Sequence, residues 1–520
     1  MAGGVVVAAQ KGDFQAKLTA QVILCSIIAA FGGLMFGYDI GISGGVTSMD
    51  DFLKKFFPDV YVKKHEVKEN NYCKYDSQKL QLFTSSLYLT AIVFSFVSSV
   101  VCKKYGRKLS MQIASVFFVA GAILSSLAGT VSMVITGRVL LGAGIGMANQ
   151  VVPLFISEIS PPKFRGGLNI MFQLLITIGI LIANLVNYKT SKVKKIGWRI
   201  SLGGAIIPGL ALLLGSLLIL ETPTSLIERN KKEEGLRNLK KIRGSDEVEI
   251  EYEQLLQAAE EANKVTHPFS KLVKRKCRPQ LVCGTIIHMF QQLSGINMIM
   301  FYAPVLFQTM GYKSDASLLS AVVMGSVNVV TTLVAVFSVD RVGRKFLLLE
   351  AAVQMFICQI AMGGIFLVHL HAQGSVSAPL AKLIVSLVCI FVGGFAWSWG
   401  PLCWLISSEI YPLEIRPAGL FLACSTNMLF TFVIAQGFLT MLCHMRSGAF
   451  FFFGAIIVIA GTFIFFFMPE TKGVPIDEME ERLWKLHWYW RKYFDEDDDD
   501  HVAKKAELEF TRKGVEGENL

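Results

Sequence analysis

Runs of twenty or more residues without a single charge recur along this chain, and they fix its class before any other feature does. Met111–Gly137, Gly166–Tyr188 and Ala449–Met468 contain no Asp, Glu, Lys or Arg. About 20 apolar residues suffice to cross the hydrocarbon of a bilayer. Only 17% of the 520 residues are charged, against about 25% in a soluble domain. A membrane-spanning bundle of helices is expected, an all-α membrane protein. The net charge of +10 does not point to nucleic acid. No basic stripe interleaves with aromatics, and membrane proteins carry excess Lys/Arg at their cytoplasmic face for topological reasons. The N-terminus lacks a signal peptide's charged start and cleavage site, so the first apolar tract is expected to be a retained span.

Charges taken as breaks give twelve transmembrane helices, at about 18–43, 80–101, 110–130, 132–157, 167–188, 199–220, 279–309, 316–338, 346–369, 383–407, 418–442 and 448–468. The expected organisation is a short N-terminus (1–17) and a six-helix half (18–220) whose first outer loop covers 44–79. A linker (221–278), a second six-helix half (279–468) and a tail (469–520) follow. The linker, with 13 Lys/Arg and 11 Asp/Glu, reads as soluble and partly amphipathic helix. With both termini inside, inner segments hold 34 Lys/Arg and outer ones 15, the asymmetry that sets orientation. Arg138 is the one left over, inside a span. The tail's Trp484, Trp488, Tyr489, Trp490 and Tyr493 read as an interfacial anchor, and Asp495–Asp500 as the start of a disordered end.

The halves repeat each other. Lys104–Lys108 (KYGRK) matches Arg341–Lys345 (RVGRK), Glu158 with Arg165 matches Glu409 with Arg416, and Glu221-Thr222 matches Glu470-Thr471. Spans one, four, seven and ten carry the most helix-breaking residues: Gly32, Gly33, Gly37 and Gly41; Gly142, Gly144, Gly146 and Pro153; Gly295 and Pro304; Gly393, Gly394, Gly400 and Pro401. Interrupted helices at matching repeat positions mark the substrate site of a secondary transporter.

Two charges lie well inside spans, Asp39 and Arg138. Either costs about 2.5–3.5 kcal/mol at a helix centre on insertion scales, so such residues pair and work. Counted at about 1.5 Å per residue, both sit about 10 Å below the outer surface, so contact between them is expected. A guanidinium favours an ionised carboxylate, and weakening the pair lets the acid take a proton; a static bridge locking two helices is the alternative. The amides Gln173, Gln291, Gln292, Asn328 and Asn427 fall near mid-membrane. Singly, such residues often serve only to join helices; five at one depth suit the hydroxyls of a neutral sugar. Arg107, Glu158, Arg165, Asp340, Arg341, Arg344, Glu409 and Arg416 map to the inner face. There a charge network would close the cytoplasmic side in the outward-facing state. Of ten cysteines only Cys73 and Cys443 fall on the oxidising side, either as a bridge between the halves or as two thiols. No metal-ligand spacing, nucleotide loop or Asn-X-Ser/Thr sequon occurs.

Pro469–Gly473 (PETKG), the Gly-Arg loops, Gln291–Asn297 (QQLSGIN) and Gly197–Arg199 (GWR) resemble the sugar-porter branch of the major facilitator superfamily. Phe36–Thr47 (FGYDIGISGGVT), Leu80–Leu89 (LQLFTSSLYL), Phe395–Pro401 (FAWSWGP) and His487–Trp490 (HWYW) narrow it to the plant monosaccharide–proton symporters. The resemblance runs from about Lys17 to Phe494. It implies a proton-accepting aspartate at Asp39 with Arg138 as partner, and a sugar site of Gln173, Ile180, Gln291, Gln292, Asn297, Asn328, Trp404, Asn427 and Thr431. Phe36 and Ile40 flank the aspartate. It further implies a Cys73–Cys443 bridge holding a lid over the site. The chain departs from the family at Cys403 (Gly in many relatives), Ser294 (Thr) and Cys102 (an acid before the basic loop). The expected activity is import of hexoses such as glucose or galactose with a proton at the plasma membrane. The expected protein is not an enzyme and acts as a monomer, with no cofactor beyond the co-transported proton. A proton-independent facilitator and a non-transporting sugar receptor are the alternatives.

Overall fold

The computed structural model describes residues 18–66, 72–161, 164–264, 268–309, 314–369, 377–412, 415–474 and 479–494. The N-terminal 17 residues, the Asp495–Asp500 run and the side chains of Arg165 and Asp340 lie outside the described set. Among the described residues every regular element is helical. The first half comprises α1 (Ala20–Val46), α2 (Asp50–Phe56), α3 (Pro58–His65), α4 (Gln78–Tyr105), α5 (Arg107–Ser126), α6 (Val131–Ile159), α7 (Arg165–Thr190), α8 (Gly197–Gly203) and α9 (Ile206–Leu218). The linker folds as α10 (Pro223–Glu228), α11 (Lys232–Arg243), α12 (Glu249–Lys264) and α13 (Pro268–Val273). The second half comprises α14 (Arg278–Leu293), α15 (Ile296–Thr309), α16 (Ser314–Val342), α17 (Arg344–His369), α18 (Ala378–Gly394), α19 (Gly400–Ile410), α20 (Arg416–Met445) and α21 (Gly448–Phe467).

Eleven stretches are long and apolar enough to cross a membrane, with α8–α9 and α18–α19 each forming one of them. The twelfth expected span is α14 and α15 together, divided at Ser294-Gly295. Gly295 sits at φ +90°, a conformation that costs an L-residue steric strain and ends a helix. Large apolar side chains such as Leu218, Phe337 and Phe465 stay exposed around the bundle. Hydrocarbon is the solvent that suits such a surface.

The expected interruptions occur in spans seven and ten, where a π-helical turn at Phe395–Trp399 joins α18 to α19. Spans one and four differ from expectation: α1 and α6 run unbroken, Pro153 included. Their glycines act as contact surfaces instead. A Cβ on Gly37 would overlap the Ile176 carbonyl of α7, and one on Gly142 the Leu87 carbonyl of α4. Small residues that let backbones touch are how helices associate without a hydrophobic drive between them. Span six breaks at Gly204-Ala205, which the sequence reading did not anticipate.

The loop after α1 is not extended: α2 and α3 form a lid whose Phe52 and Phe56 pack on Trp198, with ring centroids 5.8 and 5.1 Å apart. A Cys73–Cys443 disulfide ties this segment to the end of α20. Beside it, Thr440 Oγ1 donates to Asp76 (2.7 Å), Gln81 donates to Thr440 (2.9 Å), and Tyr75 bonds Gln308. At this lid face the two halves meet. The opposite, linker face carries α10–α13. Arg243 donates to the Ile159 carbonyl at the end of α6 (2.9 Å), and Phe269 of α13 packs on Phe421 of α20. The tail is more than a surface anchor. The Trp488 and Trp490 indoles cap the Phe466 and Phe467 carbonyls at the end of α21 (2.9 and 2.7 Å), and Trp484 and Trp490 are buried.

Two expected outcomes follow from this packing. Gly37→Ala costs about 1–3 kcal/mol of overpacking and lowers the melting temperature in detergent. Gly437→Ala, where a Cβ meets nothing within 4 Å, leaves it unchanged; equal melting of the two variants contradicts the close approach. A protease site placed at Asn230-Lys231, between α10 and α11, will yield one band on a gel without reductant and two with it. Two bands in both lanes would show that the bridge does not form.

Candidate functional site

The repeat seen in the sequence is a repeat in geometry. Arg107 pairs with Glu158 (2.8 Å), whose other oxygen accepts from Thr222 (2.5 Å). Glu221 accepts the N–H groups of Arg107 and Lys108 (3.1 and 3.2 Å). In the second half Arg344 pairs with Glu409 (3.0 Å), and Glu409 accepts from Thr471 (2.7 Å). Glu470 accepts the N–H groups of Arg344 and Lys345 (2.9 Å each). Each glutamate of the Glu-Thr pair thus caps the first turn of a helix, where unpaired N–H groups and the helix dipole favour an anion. Glu228 adds a second acid to Arg107 (2.8 Å).

These ion pairs bind helix ends within one half, or a half to the linker. The expected network belongs to the outward-facing state, and the side chains of Arg165 and Asp340 lie outside the described residues. Arg341 offers its backbone carbonyl to Lys472 (2.6 Å), and Arg416 donates to the Tyr411 carbonyl (3.2 Å). The two halves also touch away from the lid, where Phe96 of α4 packs on Phe421 of α20 with ring centroids 5.6 Å apart. A cleft lies between them, lined by Gln150, Asn169 and Gln173 of the first half and Trp404, Ser408 and Arg416 of the second.

Above the cleft, toward the lid, lies the intramembrane pair. Asp39 is 2% exposed and Arg138 is fully buried. The guanidinium donates to Asp39 Oδ1, to Ser43 Oγ and to the Phe83 carbonyl (3.1 Å), with its carbon 4.3 Å from the Phe83 ring centroid. One carboxylate oxygen is therefore held, and Oδ2 has no bond partner among the described residues. Ser43 escaped the sequence reading although it stands four residues after Asp39, one helical turn along the same face. Phe83 had no such signal. Phe36, Tyr88 and Phe301 form an aromatic layer beside this pair, with centroids 6.5 and 5.5 Å apart. Ile40 is buried in the same core, and Ile180 packs on α1 at Gly41.

The second-half amides form one connected network. Gln291 Nε2 donates to the Trp399 and Gly400 carbonyls (2.8 and 3.1 Å), and its Oε1 accepts from Asn427 (2.7 Å) and Gln292 (3.2 Å). Gln292 Oε1 accepts from Asn297 (2.5 Å). The break at Gly295 is what lets residues of α14 and α15 converge here. Asn427 also donates to His288 Nδ1 (3.2 Å), and the His288 ring stands edge-on to Trp404 at 4.6 Å. His288 is absent from the expected site residues, although it precedes Gln291 and Gln292 by three and four residues on one face. Gln173 approaches the network from the other half, next to Gly400. Asn328 and Thr431 stand apart from it: Asn328 reaches the Met300 sulfur (4.0 Å), and Thr431 bonds the Asn427 carbonyl within its own helix (2.8 Å).

Residues 25–483 match the family described as Sugar (and other) transporter. Sugar transport protein 8 of Arabidopsis thaliana is 59% identical over 495 residues, covering 95% of this chain and 98% of that protein. Sugar transport protein MST4 of Oryza sativa subsp. japonica is 56% identical over 504 residues, covering 97% and 98%. Among solved structures, the proton:xylose symporter XylE bound to 6-bromo-6-deoxy-D-glucose superposes with a TM-score of 0.76. It shares 26% identity and covers 90% of this chain and 100% of that one. An inward open form of the xylose transporter XylE from E. coli gives 0.69, at 25% identity and 88% and 99% coverage. A multi-pass helical bundle built from a structural repeat, a buried acid–arginine pair and an amide cluster beside a cleft go with these likenesses, and the chain belongs to the sugar transporter family of the major facilitator superfamily.

Proposed function

We propose that this protein is a proton-coupled monosaccharide symporter of the plasma membrane, importing hexoses by alternating access. The observation that carries this reading is the Asp39–Arg138 pair. A transporter with no ion to carry has little use for a carboxylate buried in the membrane at the cost such groups incur. With the linker face cytoplasmic, as the Lys/Arg asymmetry favours, the lid face is extracellular and the cleft opens inward. Proton uptake on Asp39 from outside would release the Arg138 guanidinium to Ser43 and Phe83 alone and loosen α1 from α6. Return of the charge would restore the pair once the proton leaves.

Sugar recognition is assigned to the groups left open by the network: Gln173, the remaining capacity of Gln292 and Asn297, Asn427 Oδ1 and the Trp404 indole. Asn328 and Thr431 complete the ring of hydroxyl partners, and Phe36, Ile40 and Ile180 supply apolar surface toward Asp39. The helix-end charges of Arg107, Glu158, Arg344 and Glu409 stiffen each half, and with Arg165, Asp340, Arg341 and Arg416 they form the charge network that closes the cytoplasmic side in the outward-facing state and breaks on rocking. Arg165 and Asp340 enter through their sequence positions. The protein works as a monomer with no cofactor other than the proton. A potential of about 100 mV supplies about 2.3 kcal/mol per charge, and each pH unit about 1.4 kcal/mol. Together, modest gradients support roughly thousandfold accumulation.

The test is hexose uptake in transporter-deficient cells, with and without a protonophore, for the wild type and Asp39→Asn. Accumulation by the wild type that collapses with the protonophore is expected, with loss of accumulation but retained surface expression for Asp39→Asn. Protonophore-insensitive uptake would make the protein a facilitator. No uptake of any monosaccharide by correctly located protein would favour a receptor.

A further inference from the structure

The hydrogen bonds around Gln291 have directions that can be read one after another. Backbone carbonyls only accept, so the Gln291 atom facing Trp399 O and Gly400 O is its NH2 group. Its oxygen therefore faces Asn427, and the Asn427 atom 2.7 Å away is Nδ2. The second N–H of that amide points to His288 Nδ1 at 3.2 Å. Nδ1 must then be the unprotonated, accepting nitrogen. The ring is neutral with its proton on Nε2, directed at Ser407 Oγ 3.1 Å away. His288 and Ser407 are both wholly buried, and the ring is further fixed by the edge-on contact with Trp404.

Both amide hydrogens of Asn427 are consumed by this arrangement, one by Gln291 and one by His288. Asn427 Oδ1 has no hydrogen-bond partner among the described residues. It can only accept, so it calls for a hydroxyl donor. Were the His288 acceptor missing, a buried N–H would be left unpaired, a loss that favours rotating the amide. The polarity presented to a ligand at this point would then no longer be fixed.

We propose that His288 is a positioning residue of the sugar site, which by accepting the Asn427 N–H fixes Asn427 Oδ1 as acceptor for one sugar hydroxyl and so helps to set which hydroxyl pattern is selected. The inference rests on the reading of this site as a sugar site, and deepens it. His288 reaches the ligand only through Asn427 and through the seat it gives Trp404.

The experiment measures KM and kcat for the hexose that the wild type takes up and for its 2-, 3-, 4- and 6-deoxy analogues. The variants are His288→Ala, His288→Asn and His288→Gln, each normalised to surface protein. Asn places a carbonyl oxygen near the Nδ1 position, whereas Gln places it near Nε2. His288→Ala is expected to raise KM about three- to tenfold, the size of one neutral hydrogen bond. The exception is the single deoxy analogue that lacks the hydroxyl read by Asn427, whose KM stays within about twofold of wild type on the same ground. His288→Asn restores the wild-type pattern and His288→Gln does not. Equal losses across all analogues, an unchanged KM, or equal behaviour of the Asn and Gln variants would each overturn the assignment. Should the alanine variant fail to reach the membrane, the comparison of Asn with Gln still decides. Monosaccharide uptake by the wild type with a flat analogue series removes this inference alone. Absence of uptake by the wild type removes it together with the sugar reading.

Discussion

The cost of holding a charge in hydrocarbon governs this molecule more than any other single term. Arg138 and Asp39 are tolerable in the membrane because each solves the other's desolvation, with Ser43, the Phe83 carbonyl and the Phe83 ring completing the guanidinium's shell. A buried pair of this kind adds little net stability, while removing one partner strands the other at a cost of several kcal/mol (about 3–5). Protonating the acid would leave the Arg138 charge to Ser43, the Phe83 carbonyl and the Phe83 ring alone. The pair joins α1 to α6, so under the proposed proton coupling a change in its charge would act on helix packing.

The rest of the bundle is two helical halves that repeat each other's end contacts. Matching sets of charges close the helix ends of each half, Arg107 with Glu158 and Glu221, Arg344 with Glu409 and Glu470. In α1 and α6, tight glycine contacts keep the long helices whole. The irregular backbone is confined largely to the second half, at Gly295 and at the π-helical turn Phe395–Trp399. Trp399 and Gly400 lend their carbonyls to Gln291, so the turn is part of the amide network as well as a break. The disulfide and lid cover the face where the halves now touch.

Much of this was legible in the residues. Uncharged tracts marked the spans, the repeated Gly-Arg and Glu-Thr signals marked the halves, and equal depth brought Asp39 to Arg138. What escaped were features that depend on partners distant in sequence. A glycine that breaks a helix and a glycine that receives a neighbouring backbone look the same in one dimension, so α1 and α6 were expected to be interrupted. Sequence gives the face of the inner charges but not which helix ends they cap, as Glu221 and Glu470 do. His288 shares a helix face with Gln291 and Gln292, yet its role needs Asn427, 139 residues away. Ser43 was within reach of the one-turn rule from Asp39.

The most direct test of the central claim is the sugar-driven proton flux itself, measured with a pH-sensitive dye inside proteoliposomes holding the purified protein and no imposed gradient. Adding a transported hexose outside is the trigger. Acidification of the lumen by about one proton per sugar, absent for Asp39→Asn, is the predicted result for a single titrating carboxylate. Hexose entry with no change of internal pH in the wild type would contradict it.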